Sequence, residues 1–189
     1  MHQKLLENIG EVIDLDNDDI ILIKKLFIPK EFKKGDCFIS EGQIAREVGF
    51  ILHGLVAYYW NDDGEIRIFE FGKAGNFVAN YKSCIERSPS EMVLEFLEDT
   101  SMLCVSPENL EVFFQQVKQG ERFGRILLTN LFLNGVESIT RFYRNTPEQR
   151  YSQFIATHSD LLDRIPQYLI SSYIGIKPQS LSRIKKRGK

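Results

Sequence analysis

The chain has 189 residues, 43% of them hydrophobic and 26% charged, with a formal net charge of −2; that is ordinary for a globular protein with a sizeable core, built as one large domain or two modest ones. No window approaches the roughly 18 unbroken apolar residues of a membrane-spanning helix, and the N-terminus turns acidic where a signal peptide would need an apolar stretch. Cys37, Cys84 and Cys104 are odd in number, far apart and free of any CxxC spacing, which argues against a disulfide framework or a zinc site and for a cytoplasmic location.

Taken in chain order, residues 1–25 predict one or two short helices, with Asp16 as the cap of the second before "DDIILIKKLF". From Phe27 to about Val105 the texture changes to short segments rich in Val, Ile, Phe and Tyr, broken by Gly and Asp. "EVGFILHG", "LVAYYW", "EIRIFEFG", "NFVANY", "VLEFLED" and "SMLCVS" read as strands. Asp63-Gly64 supplies the positive φ angles of a tight hairpin between two of them. Strands at this spacing predict a sandwich or barrel.

After Ser106-Pro107, an N-cap followed by proline at the first helical position, the pattern turns helical. "ERFGRILLTNLFLNGVESITRFYRN" predicts a long helix from about Glu121 to Asn145. Its apolar residues, among them Leu127, Leu128, Leu131, Phe132, Val136 and Ile139, cover more than one narrow stripe. Such a helix needs two surfaces to bury against: its own barrel and, as the second, either the same helix of another subunit in a two-fold dimer or more of its own chain in a monomer. Thr146 and Pro147 then start a new helix running to about His158. The segment from Ser159 onward is too small to stand alone and is expected to pack with that helix.

Charge is distributed unevenly. Residues 164–189 hold seven Lys/Arg and no Asp or Glu, whereas the other 163 residues hold 17 basic and 26 acidic side chains. A cationic end on an acidic body reads either as a solvated tail or as a surface for a polyanion, and charge alone does not choose between them. Within it, "PQYLISSYIGIKPQSLSRIKK" predicts a helix over about Pro166–Tyr173, a turn at Gly175, and a second helix with Pro178 at its first position. Leu181 and Ile184 share one face of the second helix, while Gln179, Ser182, Arg183 and Lys186 share the opposite one. Gln, Ser and Arg are side chains that read base edges. Lys177, Ser180, Lys185, Arg187 and Lys189 flank them and suit phosphates.

This order of motifs resembles the Crp/Fnr family of bacterial transcription regulators over nearly the whole chain. "KKGDCFISEGQIAREVGFILHGLVAYYWNDDGEIRIFEFGKAGNFV" is similar to that family's cyclic-nucleotide-binding-type jelly roll. "LEDTSMLCVSPENLEVFF" matches the strands and helix that close it, and "IPQYLISSYIGIKPQSLSRIKK" the DNA-binding motif. The resemblance implies an α+β fold. It comprises a cyclic-nucleotide-binding-like sensor domain over residues 1–120, a dimerisation helix over 121–145, and a helix-turn-helix DNA-binding domain over 146–189. It is nearest to the short members that end after the recognition helix without a β-wing. It also implies a non-enzymatic homodimer that reads near-palindromic duplex DNA, with RNA polymerase as a further partner where it activates.

The resemblance also exposes departures. Nucleotide binders carry a Gly-Glu pair and an Arg-Ser/Thr pair in the phosphate cassette; here Ala79-Asn80 and Met92-Val93 stand in their places. A buried phosphate without a cation is costly, so cAMP and cGMP are not expected; Arg87, a few residues away, could substitute for the missing cation, but nothing in the sequence positions it. No cofactor is identifiable. A different small effector would be sought at Asn80, Tyr81, Ser83 and Cys84. Two rival readings are a ligand-binding signalling module, still open to a cyclic nucleotide, whose C-terminal domain contacts protein instead of DNA, and a cupin-like metalloenzyme. The second is poorly served by His2, His53 and His158, the chain's three histidines.

Overall fold

The computed structural model describes residues 1–187, and Arg187 by its backbone alone; the predicted phosphate contacts of the Arg187 and Lys189 side chains lie outside the described residues. Two short helices come first, α1 (Gln3–Gly10) and α2 (Asn17–Leu26). Asp16 caps α2 as expected: its carboxylate accepts from the Asp18 and Asp19 amides at 2.9 Å each, and Asp19 returns a contact to the Asp16 amide.

Among the described residues eight strands follow: β1 (Ile28–Phe32), β2 (Cys37–Ile39), β3 (Val48–His53), β4 (Leu55–Asp62), β5 (Glu65–Lys73), β6 (Phe77–Val78), β7 (Val93–Phe96) and β8 (Thr100–Val105), with a short helix α3 (Tyr81–Glu86) between β6 and β7. They form two antiparallel sheets, β1-β8-β3-β6 and β2-β7-β4-β5. The β4–β5 hairpin turns at Asp63 (φ 51°) and Gly64 (φ 90°), and Asn61 accepts from the Gly64 amide. One strand expectation is corrected. "NFVANY" pairs only at Phe77–Val78, because the Asn80 side chain accepts from the Ser83 amide and starts α3 instead.

The helices after the strands are α4 (Pro107–Gln116), α5 (Gly120–Arg144), α6 (Pro147–Thr157), a 3-10 turn at Ser159–Leu161, α7 (Gln167–Ile174) and α8 (Pro178–Arg187). Ser106 caps α4 and Thr146 caps α6, each ahead of its proline.

Three hydrophobic clusters stack these elements into layers. The outer face of the first sheet (Val48, Phe50, Leu103, Val105) is covered by α1, α2, α4 and the first turn of α5. Ile51, Val56, Val78, Leu94, Phe96 and Met102 fill the space between the sheets. The outer face of the second sheet (Leu55, Ala57, Ile68, Phe71) is covered by Phe154, Leu161, Ile165, Leu169, Ile170, Ile174 and Leu181 from the C-terminal helices. β4 therefore buries both its faces, Leu55 and Ala57 one way and Val56 the other. Its unbroken apolar run "LVAYYW" follows from that.

Long helix α5 behaves differently along its length. Phe123 and Gly124 are buried and Leu127 is partly buried against the chain's own helical layer. From Leu128 on the apolar side chains lie open: Leu131 is 51% exposed, Phe132 70%, Ile139 60% and Tyr143 85%. Among the described residues, no helix is long and apolar enough to cross a membrane.

Candidate effector region and nucleic-acid interface

The four residues predicted for an effector gather around the start of α3, but the polar atoms of Asn80, Ser83 and Cys84 are already engaged. Asn80 accepts from the Ser83 amide, and its Nδ2 donates to Ser90 Oγ at 2.7 Å. Ser90 Oγ in turn donates to the Met92 carbonyl at 2.6 Å and accepts from the Met92 amide. Ser83 Oγ donates to the Ser88 carbonyl and accepts from the Ala45 amide at 2.9 Å. Both hydroxyls are 2% exposed. The Cys84 thiol leans on the Glu47 carbonyl at 3.6 Å, and burial pushes its pKa up; Cys104, deeper still, is pushed up to about 12 by burial. Neither is a thiolate at neutral pH. Tyr81 alone of the four is exposed.

Arg87 does not supply the missing cation to this pocket. It takes a left-handed conformation at the end of α3 (φ 52°) and pairs with Glu108 of α4 at 3.3 Å, well out in solvent. The space between the sheets is filled as well. Phe32 stacks on Phe96 at 4.4 Å, Phe38 meets both edge-on, and Met102 packs against the backbone of Gly49. A cleft of about 520 Å³ opens beside Phe38, Gln43, Arg46 and Glu47, and of the four predicted residues only Asn80 lines it.

The C-terminal pair of helices presents the opposite condition. Gly175 (φ 75°) ends α7, where its amide and that of Ile176 donate to the Ser172 and Ser171 carbonyls at 2.9 Å. The next helix starts at Pro178, with Lys177 in the cap position, where its carbonyl accepts from the Ser180 and Leu181 amides. Leu181 is 1% exposed and anchors α8, with Ile184 half-buried beside it. Gln179, Ser182, Arg183 and Lys186 all face solvent together, as does Lys177, while Ser180 and Lys185 are half-buried. Among the described residues none of these cations pairs with a carboxylate. Ser182 is the exception in satisfaction, its hydroxyl donating back to the Pro178 carbonyl at 3.2 Å.

The contact of α7 with the second sheet was not visible in the sequence. Ser172 Oγ donates to the Ile66 carbonyl at 2.6 Å and accepts from the Ile68 amide at 2.9 Å. One hydroxyl thus occupies two free backbone groups on β5, the edge strand, as a neighbouring strand would. Lys73–Asp160 (2.9 Å) and Arg164–Glu98 add ion pairs across the same boundary. No local signal marks Ser172, since its partners lie more than a hundred residues away. The sequence also did not point to a cleft of about 970 Å³ between the β4–β5 hairpin, the end of α5 and the α7–α8 turn, bordered by Trp60, Phe69, Arg141, Phe142, Tyr168 and Lys177. Among the described residues, no three His, Cys, Asp or Glu side chains cluster as metal ligands would.

Comparison with known proteins agrees with this geometry. Residues 29–117 match the family described as cyclic nucleotide-binding domain. The chain is similar in structure to FixK2 from Bradyrhizobium japonicum (18% identity, TM-score 0.72, covering 85% of this chain and 83% of that one). It is also similar to the c-di-GMP-responsive global regulator CLP of Xanthomonas campestris (16% identity, TM-score 0.69, 91% of each chain). A third similar structure, from Eubacterium rectale, is ascribed to the Crp/Fnr family of transcriptional regulators (17% identity, TM-score 0.70, 92% and 83%). A search of curated proteins finds no match. At these identities the likeness is one of fold: a jelly roll, a long helix and a C-terminal helical unit in the Crp/Fnr arrangement.

Proposed function

We propose that this Crp/Fnr-like chain is a homodimeric transcription regulator that reads a near-palindromic site in duplex DNA through α8. The observation that carries the reading is the exposed face of that helix. Gln179, Ser182, Arg183 and Lys186 lie together on it without a single acid, while the other face is fastened into the core by Leu181. Arg183 suits the O6/N7 edge of guanine and Gln179 the N6/N7 edge of adenine. Lys177, Ser180 and Lys185, with the side chains of Arg187 and Lys189, suit the phosphates on either side.

The open stripe on α5 supports self-association. Leu128, Leu131, Phe132, Val136 and Ile139 form an apolar surface too large to leave in water, and the same helix of a second copy covers it by two-fold symmetry. Two recognition helices then meet half-sites about one helical turn apart. The hydrogen-bonded cassette and filled barrel argue for a control signal other than cAMP or cGMP.

Selection from random duplex DNA by the full-length protein tests the reading. The expected result is an enriched pair of inverted half-sites, bound with an affinity that falls steeply with salt, by a slope of about −0.9 per phosphate neutralised. Recovery of no motif sinks it and favours a signalling module whose C-terminal helices contact protein.

A further inference from the structure

The end of α5, the start of α6 and the end of α7 converge on one side chain. Arg150 donates from Nε to the Ile174 carbonyl at 2.7 Å, and from one terminal nitrogen to the Asn145 carbonyl at 2.7 Å and the Phe142 carbonyl at 3.3 Å. Its guanidinium lies 4.8 Å from the centroid of the Phe142 ring. Phe142 and Asn145 close α5, and Ile174 closes α7. The last carbonyls of a helix lack partners inside it and carry the negative end of its dipole. One cation therefore caps two helices at once and holds their ends together.

The Phe142 ring extends the contact to the turn before α8. A Cβ added at Gly175 would lie 2.7 Å from Phe142 Cζ, so the ring sits directly on the turn backbone. Phe142 is also 54% exposed on the outside of α5. It continues the series Leu128, Phe132, Gly135 and Ile139, whose steps alternate between four residues and three, as in the seam of a two-helix coil. The ring thus lies on the turn before α8 on one side, with Arg150 clamped over it, and is open on the other, the side that meets the second copy in the dimer proposed above.

We propose that Arg150 is a positioning residue for DNA reading: by tying the ends of α5 and α7 together it sets the angle between the dimer seam and α8, and so the distance between the two half-sites. This rests on the dimeric, DNA-reading function proposed above. A planar guanidinium reaches three carbonyls and stacks on a ring in one pose, whereas a lysine ammonium is a point charge on a flexible stem and does not.

The test uses full-length wild-type protein, Arg150→Lys, Arg150→Met and Phe142→Leu on the motif that the wild type selects. Affinity is measured for that site with the spacer between half-sites shortened or lengthened by one and two base pairs, and dimerisation by light scattering. The wild type is expected to prefer one spacer sharply. Arg150→Met stays dimeric, loses about ten-fold at the preferred spacer, as for the loss of charge-assisted hydrogen bonds, and binds the other spacers nearly as well. Arg150→Lys behaves like Arg150→Met instead of rescuing it. Should Arg150→Met fail to fold, Phe142→Leu, which removes the stacking surface and leaves the carbonyls, is expected to flatten the same profile. An Arg150 or Phe142 variant whose spacer profile runs parallel to that of the wild type overturns the inference alone. A wild-type protein that selects no paired half-sites overturns the proposed function and the inference with it.

Discussion

The region around α3 and the exposed face of α8 are both rich in polar side chains, yet they differ in where those groups find their partners. At α3, Asn80, Ser83 and Ser90 bond to one another and to nearby backbone, and the two hydroxyls are sealed from water. On α8, Gln179, Arg183 and Lys186 reach into solvent. A buried polar group must be satisfied inside the protein, whereas an exposed one exchanges water for a ligand at little cost. The lesson is that polar composition alone does not mark a site; a site needs groups whose partners are still to come.

Substitutions at the two regions should therefore act on different quantities. Arg183→Ala is expected to have the largest effect on binding, weakening the selected site by about 1–3 kcal/mol for loss of a bidentate base contact. Its thermal stability should stay near that of the wild type, because Arg183 is exposed. Parallel titrations on specific and random DNA check this, and an unchanged specific affinity would show that Arg183 does not read a base. Ser90→Ala is expected to do the reverse. It strands Asn80 Nδ2 and the Met92 backbone in a buried setting, at a cost of about 1–2 kcal/mol in unfolding free energy, while the folded protein binds DNA as before. Loss of DNA affinity without loss of stability in Ser90→Ala would mean that the α3 region communicates with α8 through more than folding.

A smaller effect sharpens the boundary between the two regions. His158 stacks on Phe154 at 4.9 Å and lies near Tyr173 of α7. Burial, then the charges of Lys73 on β5 and Arg141 on α5, hold its pKa below the ordinary imidazole value, against the opposite pull of Asp160. The unfolded chain takes up that proton near pH 6.5 and the folded chain only at lower pH. This contribution to stability is complete above about pH 6.5, declines as pH falls below it, and levels off once the native group is also protonated. Denaturation at pH 7.5 and 5.5 should show the loss in the wild type and a reduced loss in His158→Gln; an equal loss in both would assign the acid sensitivity to other groups. The carboxylates held low by ion pairs, such as Asp160 beside Lys73, act in a separate window below their unfolded value of about 4.

Much of the architecture was legible in local chemistry. Asp16, Ser106 and Thr146 announced helix starts, Asp63-Gly64 a hairpin and Gly175 a helix end, because caps and positive φ angles depend on a few neighbouring atoms. The shared face of Gln179, Ser182, Arg183 and Lys186 followed from helical period alone. The effector region was legible only as a place. That Asn80 and Ser90 would satisfy each other, and that Arg87 would turn to Glu108, depended on loops brought together by folding.

The amino-acid pattern by itself determined the order of elements, their ends and the cationic face of the last helix, since all of these arise within a few residues of chain. Only the tertiary structure decided which surfaces those elements cover: that the C-terminal helices close the outer face of the second sheet, that Ser172 caps the edge of β5, and that Arg150 joins two helix ends. The physical reason is range. Period and capping act across one turn, but Ser172 meets Ile68, and Arg150 meets the Ile174 carbonyl, only where chain topology brings α7 within reach.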